Sequence, residues 1–290
     1  MDAFWIILTG SITAIACALA GTFLVLRKMS MLSDAISHAV LPGIVSAFLL
    51  TGSRTGFPVL IGAGSVGLLS SFLIEYLHKR GRVQSDASIG VTFTWLFALG
   101  IILISTMGGN IDIDPDCVLY GEIAYVPLDL LSIGNILIPQ ALISMGSVLL
   151  LTIIIIFIAF KELTISTFDP EHAQSIGINT TLWHYILMGC VSLITVAAFD
   201  AVGAIIVVAL FTAPPSAALL LSSRLSHVLL LASLFGVIAA ITGYFLAIWM
   251  NGSISGAMAL ITGIEVLCAI IISRVKSQYQ SLAKHKMIEI

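Results

Sequence analysis

Apolar runs long enough to cross a lipid bilayer recur along almost the whole of this chain. The longest covers residues 136–160 and contains no charged side chain. A transmembrane helix needs about 20 predominantly apolar residues to span the hydrocarbon core. Nine runs reach or approach this length, and eight to ten spans are consistent with the pattern: 4–26, 35–50, 57–77, 89–107, 136–160, 182–199, 202–221, 228–250 and 254–272. The sequence therefore predicts an all-α, polytopic transmembrane helix bundle, formed by a single domain over residues 1–290.

The low content of charged residues excludes a soluble globular protein. Asp, Glu, Lys and Arg make up 9% of the chain, and the mean hydropathy is +1.13. A soluble domain averages about 25% charged residues. No face of this chain could carry the basic stripe of a dedicated nucleic-acid-binding protein. We therefore expect an integral protein of the cell membrane.

Basic residues predict which ends of the spans face the cytoplasm. Cytoplasmic loops of membrane proteins carry an excess of Lys and Arg. With nine spans and an external N-terminus, every basic residue except Arg54 falls on one side of the membrane: Arg27, Lys28, Lys79, Arg80, Arg82, Lys161, Arg224, Arg274, Lys276, Lys284 and Lys286. This distribution predicts an external N-terminus and a cytoplasmic C-terminus.

Asp34 and His38 are candidate metal ligands near the start of the second span. They are four residues apart, so they share one face if the segment is helical. A carboxylate and an imidazole on one face are able to bind a divalent cation together, and ionisable residues inside a membrane usually line a pathway. The alternative interpretation is that His38 is hydrogen-bonded to Asp34 and stabilises a bend before Pro42, where the span is expected to kink or break.

Two further acidic residues are weaker candidates. Asp200 lies between two apolar runs, at a predicted outer turn, where a turn residue or a helix cap explains it equally well. Glu122 follows the longest outer segment, which also contains Asp112, Asp114 and Asp116. As a solvated loop, that segment would only raise the local concentration of cations.

The longest cytoplasmic connection, 161–181, contains the signals of a short helix. Asp169 is a good N-cap, Pro170 suits the first helical position, and Glu171 favours the positive end of the helix dipole. Gly177 is a plausible C-terminal stop. We expect a short amphipathic helix on the cytoplasmic face.

The pair Pro214-Pro215 predicts a break in the seventh span, because two consecutive prolines remove two backbone donors. Broken membrane helices are tolerated where they line a cavity or are buried in protein, as in transporters. The sequence contains neither a Walker A loop nor the HExxH and GxSxG motifs of hydrolases. The chain is therefore expected to be a transport protein rather than an enzyme.

Four sequence segments resemble those of a known family. GTFLVLRKMSMLSDAISHAVLPG (21–43) is similar to the signature of the ABC permeases that import zinc, manganese or iron from a cluster-A metal-binding lipoprotein. The same order and spacing continue in SDASIG (85–90), FDPEHAQSIG (168–177) and VGAIIVVAL (202–210). The resemblance covers nearly the whole chain.

This resemblance implies partners and residue roles. The permease would pair with a second copy or a related permease, dock on two cytoplasmic ATP-binding subunits and receive the metal from an extracellular lipoprotein. Asp34 and His38 would coordinate the cation in transit, and Asp200 would lie near the outer gate. The coupling segment, 169–177, would enter the ATPase cleft with the residues Asp169, Pro170, Glu171, His172 and Gly177. No permanently bound cofactor is expected, only the transported ion.

The identity of the metal is less constrained. The string CVLYGEIA (117–124) looks most like the manganese-type members. Oxygen and imidazole ligands suit manganese, and no thiolate is positioned to favour zinc. Manganese is therefore the expected substrate, with zinc or iron as the alternatives. A stand-alone carrier or channel would have no need for a cytoplasmic docking helix.

Overall fold

The computed structural model describes residues 2–52, 57–107, 123–133 and 136–288. The first half of the chain contains α1 (Asp2–Leu26), α2 (Leu32–Ala39), α3 (Leu41–Thr51), α4 (Phe57–Lys79) and α5 (Ser85–Met107). A 3₁₀ helix (Ile123–Leu128) and the strands β1 (Leu130–Ile133) and β2 (Ile136–Pro139) follow. The second half contains α6 (Gln140–Ile158), α7 (Phe160–Phe168), α8 (Pro170–Ser175), α9 (Thr180–Val202), α10 (Ala204–Leu221), α11 (Leu225–Met250) and α12 (Ile254–Ile288).

The prediction of a polytopic helix bundle is confirmed. Within the described residues, eight helical segments are long and apolar enough to cross a membrane, and the apolar part of α10 is a shorter ninth. One of the eight is the pair α2–α3, interrupted at Val40, just before Pro42 enters the first turn of α3. The expected kink in the second span is therefore present.

Helices α1 and α9 form much of the centre of the bundle. Helix α1 packs against α6, α9, α10 and α11, and the broken segment α2 packs against α4, α5, α9 and α10. Small residues allow the closest contacts, as between Gly43 on α3 and Gly62 on α4, where a Cβ on either glycine would overlap the backbone of the other. In membranes, such small residues let helix backbones approach closely.

The predicted break at Pro214-Pro215 is wrong, because α10 continues through both prolines. Pro215 leaves the carbonyl of Phe211 without its usual helical donor. The backbone of Gly21 on α1 covers this carbonyl, so closely that a Cβ on Gly21 would overlap it. A proline is tolerated in a membrane helix when neighbouring helices compensate for the freed backbone group.

The fifth span begins later than predicted. Residues 136–139 form β2, which pairs antiparallel with β1, and the helix starts at Gln140. The physical reason is Pro139, which lies in an extended conformation (ψ 135°) and also disfavours the helical conformation for the preceding residue.

Contacts at one end of the bundle bring four segments together. The side chain of Arg27, just after α1, reaches Ser166 and Thr167 at the end of α7 and His184 in the first turns of α9. His184 in turn faces Glu75, near the end of α4. These four ends, all predicted to be cytoplasmic, therefore lie on one side of the bundle, while the assignment of that side to the cytoplasm stays a prediction.

Candidate functional site

Helix α2 places Asp34 and His38 on its only open side. Every residue from Leu32 to Val40 lies in the described part of the chain, and all but Asp34 and His38 are buried. The buried positions include two serines, whose hydroxyl groups donate to backbone carbonyls one turn earlier, Ser33 to Ser30 and Ser37 to Asp34. The helix is therefore held on all sides except the one that carries the two candidate ligands.

The side chains of Asp34 and His38 lie close together without forming a hydrogen bond. His38 Nε2 lies 3.6 Å from Asp34 Oδ1, beyond the usual limit of about 3.2 Å for a hydrogen bond between nitrogen and oxygen. The two side chains keep 37% and 47% of their surface exposed, respectively. The interpretation of a hydrogen-bonded pair that only stabilises the bend is therefore not favoured, and both groups are accessible to a ligand.

Aromatic residues of α5 orient the imidazole. The ring of His38 lies 6.0 Å from that of Phe93 and 6.1 Å from that of Phe97, between ring centroids, and it meets Phe97 edge-on. These contacts restrict the rotation of the ring and hold Nε2 on the side of Asp34. A ligand whose orientation is set by packing loses less entropy when it binds a metal.

The described residues contain no cluster of three or more His, Cys, Asp or Glu that could hold a metal ion. Asp34 and His38 therefore have no third side chain of these types beside them in the described part of the chain, and Asp200 does not join them. Glu122 lies outside the described residues.

The position of Asp200 differs from the prediction. It lies in the last turn of α9, exposed, rather than in the connection to the next span. The turn is made by Gly203, whose φ of 87° is a conformation that glycine adopts without steric cost.

The predicted helix of the coupling segment is present with its caps. The Asp169 carboxylate accepts a 3.0 Å hydrogen bond from the backbone N–H of His172, and Pro170 occupies the first helical position. At the other end, Gly177 has a φ of 85°, and Ile178 N–H donates to the carbonyl of Ala173. This pattern is a Schellman motif. Glu171 and His172 are exposed on the helix surface.

A second helix precedes it in the same connection. Residues 160–168 form α7, which ends one residue before Asp169. The expected single helix in 161–181 is therefore two helices, separated at Asp169, where Pro170 prevents a continuous hydrogen-bonded ladder.

One group of polar residues was missed by the sequence interpretation. The sequence pattern predicts only a cytoplasmic position for Arg27 and no role for Glu75 or His184, yet the three side chains meet at the end of the bundle. The detectable signal was Glu75, a charged residue inside an apolar run, with Lys79 four residues later on the same face.

Comparison with known proteins agrees with this architecture. The chain matches the ABC 3 transport family over residues 3–273. It is 51% identical over 270 residues to the manganese transport system membrane protein MntD of Bacillus subtilis, covering 93% of this chain and 91% of that protein. It is 47% identical over 259 residues to the zinc transport system membrane protein TroD of Treponema pallidum, covering 89% and 71%.

A solved structure has the same fold. It is described as PsaBC from Streptococcus pneumoniae in complex with Fab, and its matching chain is 31% identical, with a TM-score of 0.75. The match covers 91% of this chain and 89% of that chain. With its membrane-spanning helices and these relatives, the chain is a multi-pass protein of a bacterial membrane and belongs to the ABC 3 transport family.

Proposed function

We propose that this chain is the membrane-spanning permease subunit of an ATP-driven importer of divalent transition-metal ions, with manganese as the favoured substrate. The observation that carries the proposal is the open side of α2, where Asp34 and His38 are half-exposed on an otherwise buried helix. The similarity to MntD, named as a manganese transport protein, supports the choice of manganese.

Asp34 and His38 act in this proposal as ligands of the cation in transit. A half-exposed carboxylate that faced lipid would be energetically costly. The open side of α2 is therefore expected to face water or another protein chain. A carboxylate oxygen and an imidazole nitrogen are suitable ligands for manganese, zinc and iron alike. Two ligands are fewer than a transition metal usually takes.

A second permease would complete the ligand set. If two copies, or this chain and a related permease, face each other through the open side of α2, each contributes a carboxylate and an imidazole. Four ligands from two chains would hold the cation only while both chains are correctly placed. Such an arrangement would link metal affinity to the relative position of the two permeases.

The coupling segment is proposed to dock on a cytoplasmic ATP-binding subunit, one for each permease. Capping at both ends gives α8 a defined position, and Glu171 and His172 are exposed and free to contact a partner. On the opposite side, an extracellular metal-binding lipoprotein would deliver the ion. Asp200 and Glu122 are proposed to attract cations near that entrance, and the chain is proposed to hold no resident cofactor.

Elemental analysis of cells tests the substrate. Cells with and without this permease are grown under metal limitation, and their manganese, zinc and iron contents are measured. Loss of manganese alone supports the proposal. Loss of zinc or iron alone would keep the importer and replace its substrate, an alternative favoured by the similarity to TroD. No change in any of the three metals would contradict the proposed function.

A second measurement separates the importer from a stand-alone carrier. The permease is purified under mild conditions and tested for a co-purifying ATP-binding subunit. Uptake is then measured in proteoliposomes loaded with ATP or with a non-hydrolysable analogue. An importer requires the subunit and hydrolysis, whereas metal uptake by the permease alone, driven by a proton or sodium gradient, would identify a carrier.

A further inference from the structure

A partly buried ionic cluster lies at the end of the bundle that carries the coupling segment. It consists of Arg27, His184, Glu75 and Lys79. Arg27 Nη1 lies 3.3 Å from His184 Nδ1. His184 Nε2 lies 3.8 Å from Glu75 Oε2, a contact that is too long for a hydrogen bond and packs the two side chains against each other. Glu75 also pairs with Lys79, one turn later on α4. The side chains of His184 and Glu75 are each only 17% exposed.

Arg27 is the member that reaches the coupling region. Its Nε donates to Thr167 Oγ1 and its Nη2 to Ser166 Oγ, both at 3.1 Å. Ser166 and Thr167 lie in the last turn of α7, directly before the N-cap of α8. One guanidinium group thus holds the end of α7 and the start of α9, the two helices that flank the coupling segment.

This arrangement requires an arginine. The guanidinium is a planar fork with five donors, and Arg27 uses three different nitrogens for its three partners. Burial lowers the pKa of Arg27, but an arginine remains charged in proteins. A partly buried charge that lost these partners would be unfavourable, so the contacts help to fix the relative position of the segments that they join.

The cluster also reaches the helices that carry the candidate metal ligands. Glu75 belongs to α4, and α4 contacts the α2–α3 segment at two places further along. A Cβ on Gly67 would lie 3.2 Å from Ile36 on α2, and Gly62 meets the backbone of Gly43 on α3. Close-packed contacts of this kind transmit displacement because they leave no space to absorb it. In addition, Arg27 itself begins the connection from α1 to α2.

We propose that Arg27 is a positioning residue for transport, joining the coupling segment, through His184 and Glu75, to α4 and to the α2 helix that carries Asp34 and His38. A displacement of α8 would displace α7 and α9, which flank it. The cluster would then transmit this displacement to α4 and to the start of α2. The inference rests on the proposed function, because it assigns a path between the ATP-binding subunits and the metal ligands.

The same residues do not suit a second cation site. Glu75 and His184 offer a carboxylate and an imidazole, as Asp34 and His38 do. However, the positive charges of Arg27 and Lys79 lie against them, on opposite sides of the pair. A divalent cation would be repelled there, so the cluster is better suited to a structural link.

Reconstituted transport tests the link. The permease, its ATP-binding subunit and the metal-binding protein are assembled in proteoliposomes, and both ATP hydrolysis and manganese delivery are measured. Arg27→Gln removes the positive charge and the planar guanidinium group with its donors. The matched control is Arg224→Gln, since Arg224 is an exposed arginine at the same end of the bundle. We expect Arg27→Gln to deliver about tenfold less manganese per ATP hydrolysed, within the usual range for coupling between sites, and Arg224→Gln to match wild type.

A second variant keeps the test decisive if Arg27→Gln fails to assemble. Ser166→Ala combined with Thr167→Val removes two acceptors of Arg27 and leaves the arginine in place. Lower delivery per ATP in this double variant, with normal assembly and hydrolysis, supports the proposal. An unchanged ratio in the double variant, or in an assembled Arg27→Gln transporter, would overturn it. Failure of the wild-type assembly to transport manganese, zinc or iron would instead contradict the proposed function.

Discussion

The backbone of Gly21 on α1 covers the carbonyl of Phe211 on α10, the carbonyl that Pro215 deprives of its helical donor. This close approach covers one of the two carbonyls that the prolines free, and α10 continues through both prolines. It also places α1 and α10 in close backbone contact at the centre of the bundle, next to the α2 segment.

Replacing Gly21 is expected to destabilise the permease. A Cβ in Gly21→Ala would overlap the Phe211 backbone, and overpacking of a dense core costs about 1–3 kcal/mol. The thermal unfolding midpoint of the purified protein in detergent should therefore fall. Gly146→Ala on α6 is the matched control, because a Cβ there would meet no neighbouring atom within 4 Å. Equal midpoints for the two variants would show that the close approach is not needed.

Removing either candidate ligand is expected to abolish metal uptake without affecting membrane insertion. His38→Ala removes the imidazole, and Asp34→Asn removes the carboxylate charge at nearly constant volume. Both residues lie on the open side of α2; Asp34→Asn keeps the packing, and His38→Ala loses only the ring contacts with Phe93 and Phe97. Manganese accumulation in metal-limited cells measures the effect, and the exposed His227→Ala serves as the control. Normal accumulation by His38→Ala would exclude this residue as a ligand.

Loss of the N-cap is expected to loosen the coupling helix. Asp169→Ala removes the acceptor of the His172 N–H, and such caps contribute about 1 kcal/mol. Amide exchange in α8 should become about fivefold faster, as measured by hydrogen–deuterium exchange and mass spectrometry. Asp169→Asn keeps an acceptor oxygen and should exchange like wild type. If both variants exchange equally fast, the charge of Asp169 rather than its cap geometry stabilises the helix.

Changing the exposed face of α8 is expected to uncouple ATP hydrolysis from transport. Glu171→Ala with His172→Ala alters side chains that are exposed in the isolated permease, so its stability should be unchanged. In the reconstituted transporter, manganese delivered per ATP should fall, while the control pair Arg224→Ala and His227→Ala should behave like wild type. A normal ratio in the Glu171 and His172 variant would count against docking through this helix.

Some features were predictable because they depend on the neighbouring sequence. The caps of α8 are an example, since Asp169, Pro170 and Gly177 act on backbone groups within a few residues. The kink before Pro42 is another, because proline limits the backbone around it. The same local logic was wrong for Pro214-Pro215, where the helix is continuous and the carbonyl freed by Pro215 packs against Gly21 of another helix.

The start of the fifth span shows that hydropathy alone does not predict where a membrane helix begins. Hydropathy treats 136–139 as part of the apolar run, but these residues pair as a strand with 130–133 before the helix begins. Apolar content alone does not distinguish a buried strand from a helix end. Likewise, the turn after α9 was placed at Asp200, although Gly203 makes it, because the preceding residues complete one more helical turn.

The sequence alone determined that this chain is a bundle of membrane-spanning helices, since helix length and apolar content must match the thickness of the bilayer. It also indicated Asp34 and His38 through their helical spacing. Only the tertiary structure decided that these two side chains occupy the one open side of α2, and that Arg27, Glu75 and His184 meet. Burial and ionic contacts between distant segments depend on how the helices pack, and no local pattern in the chain specifies that packing.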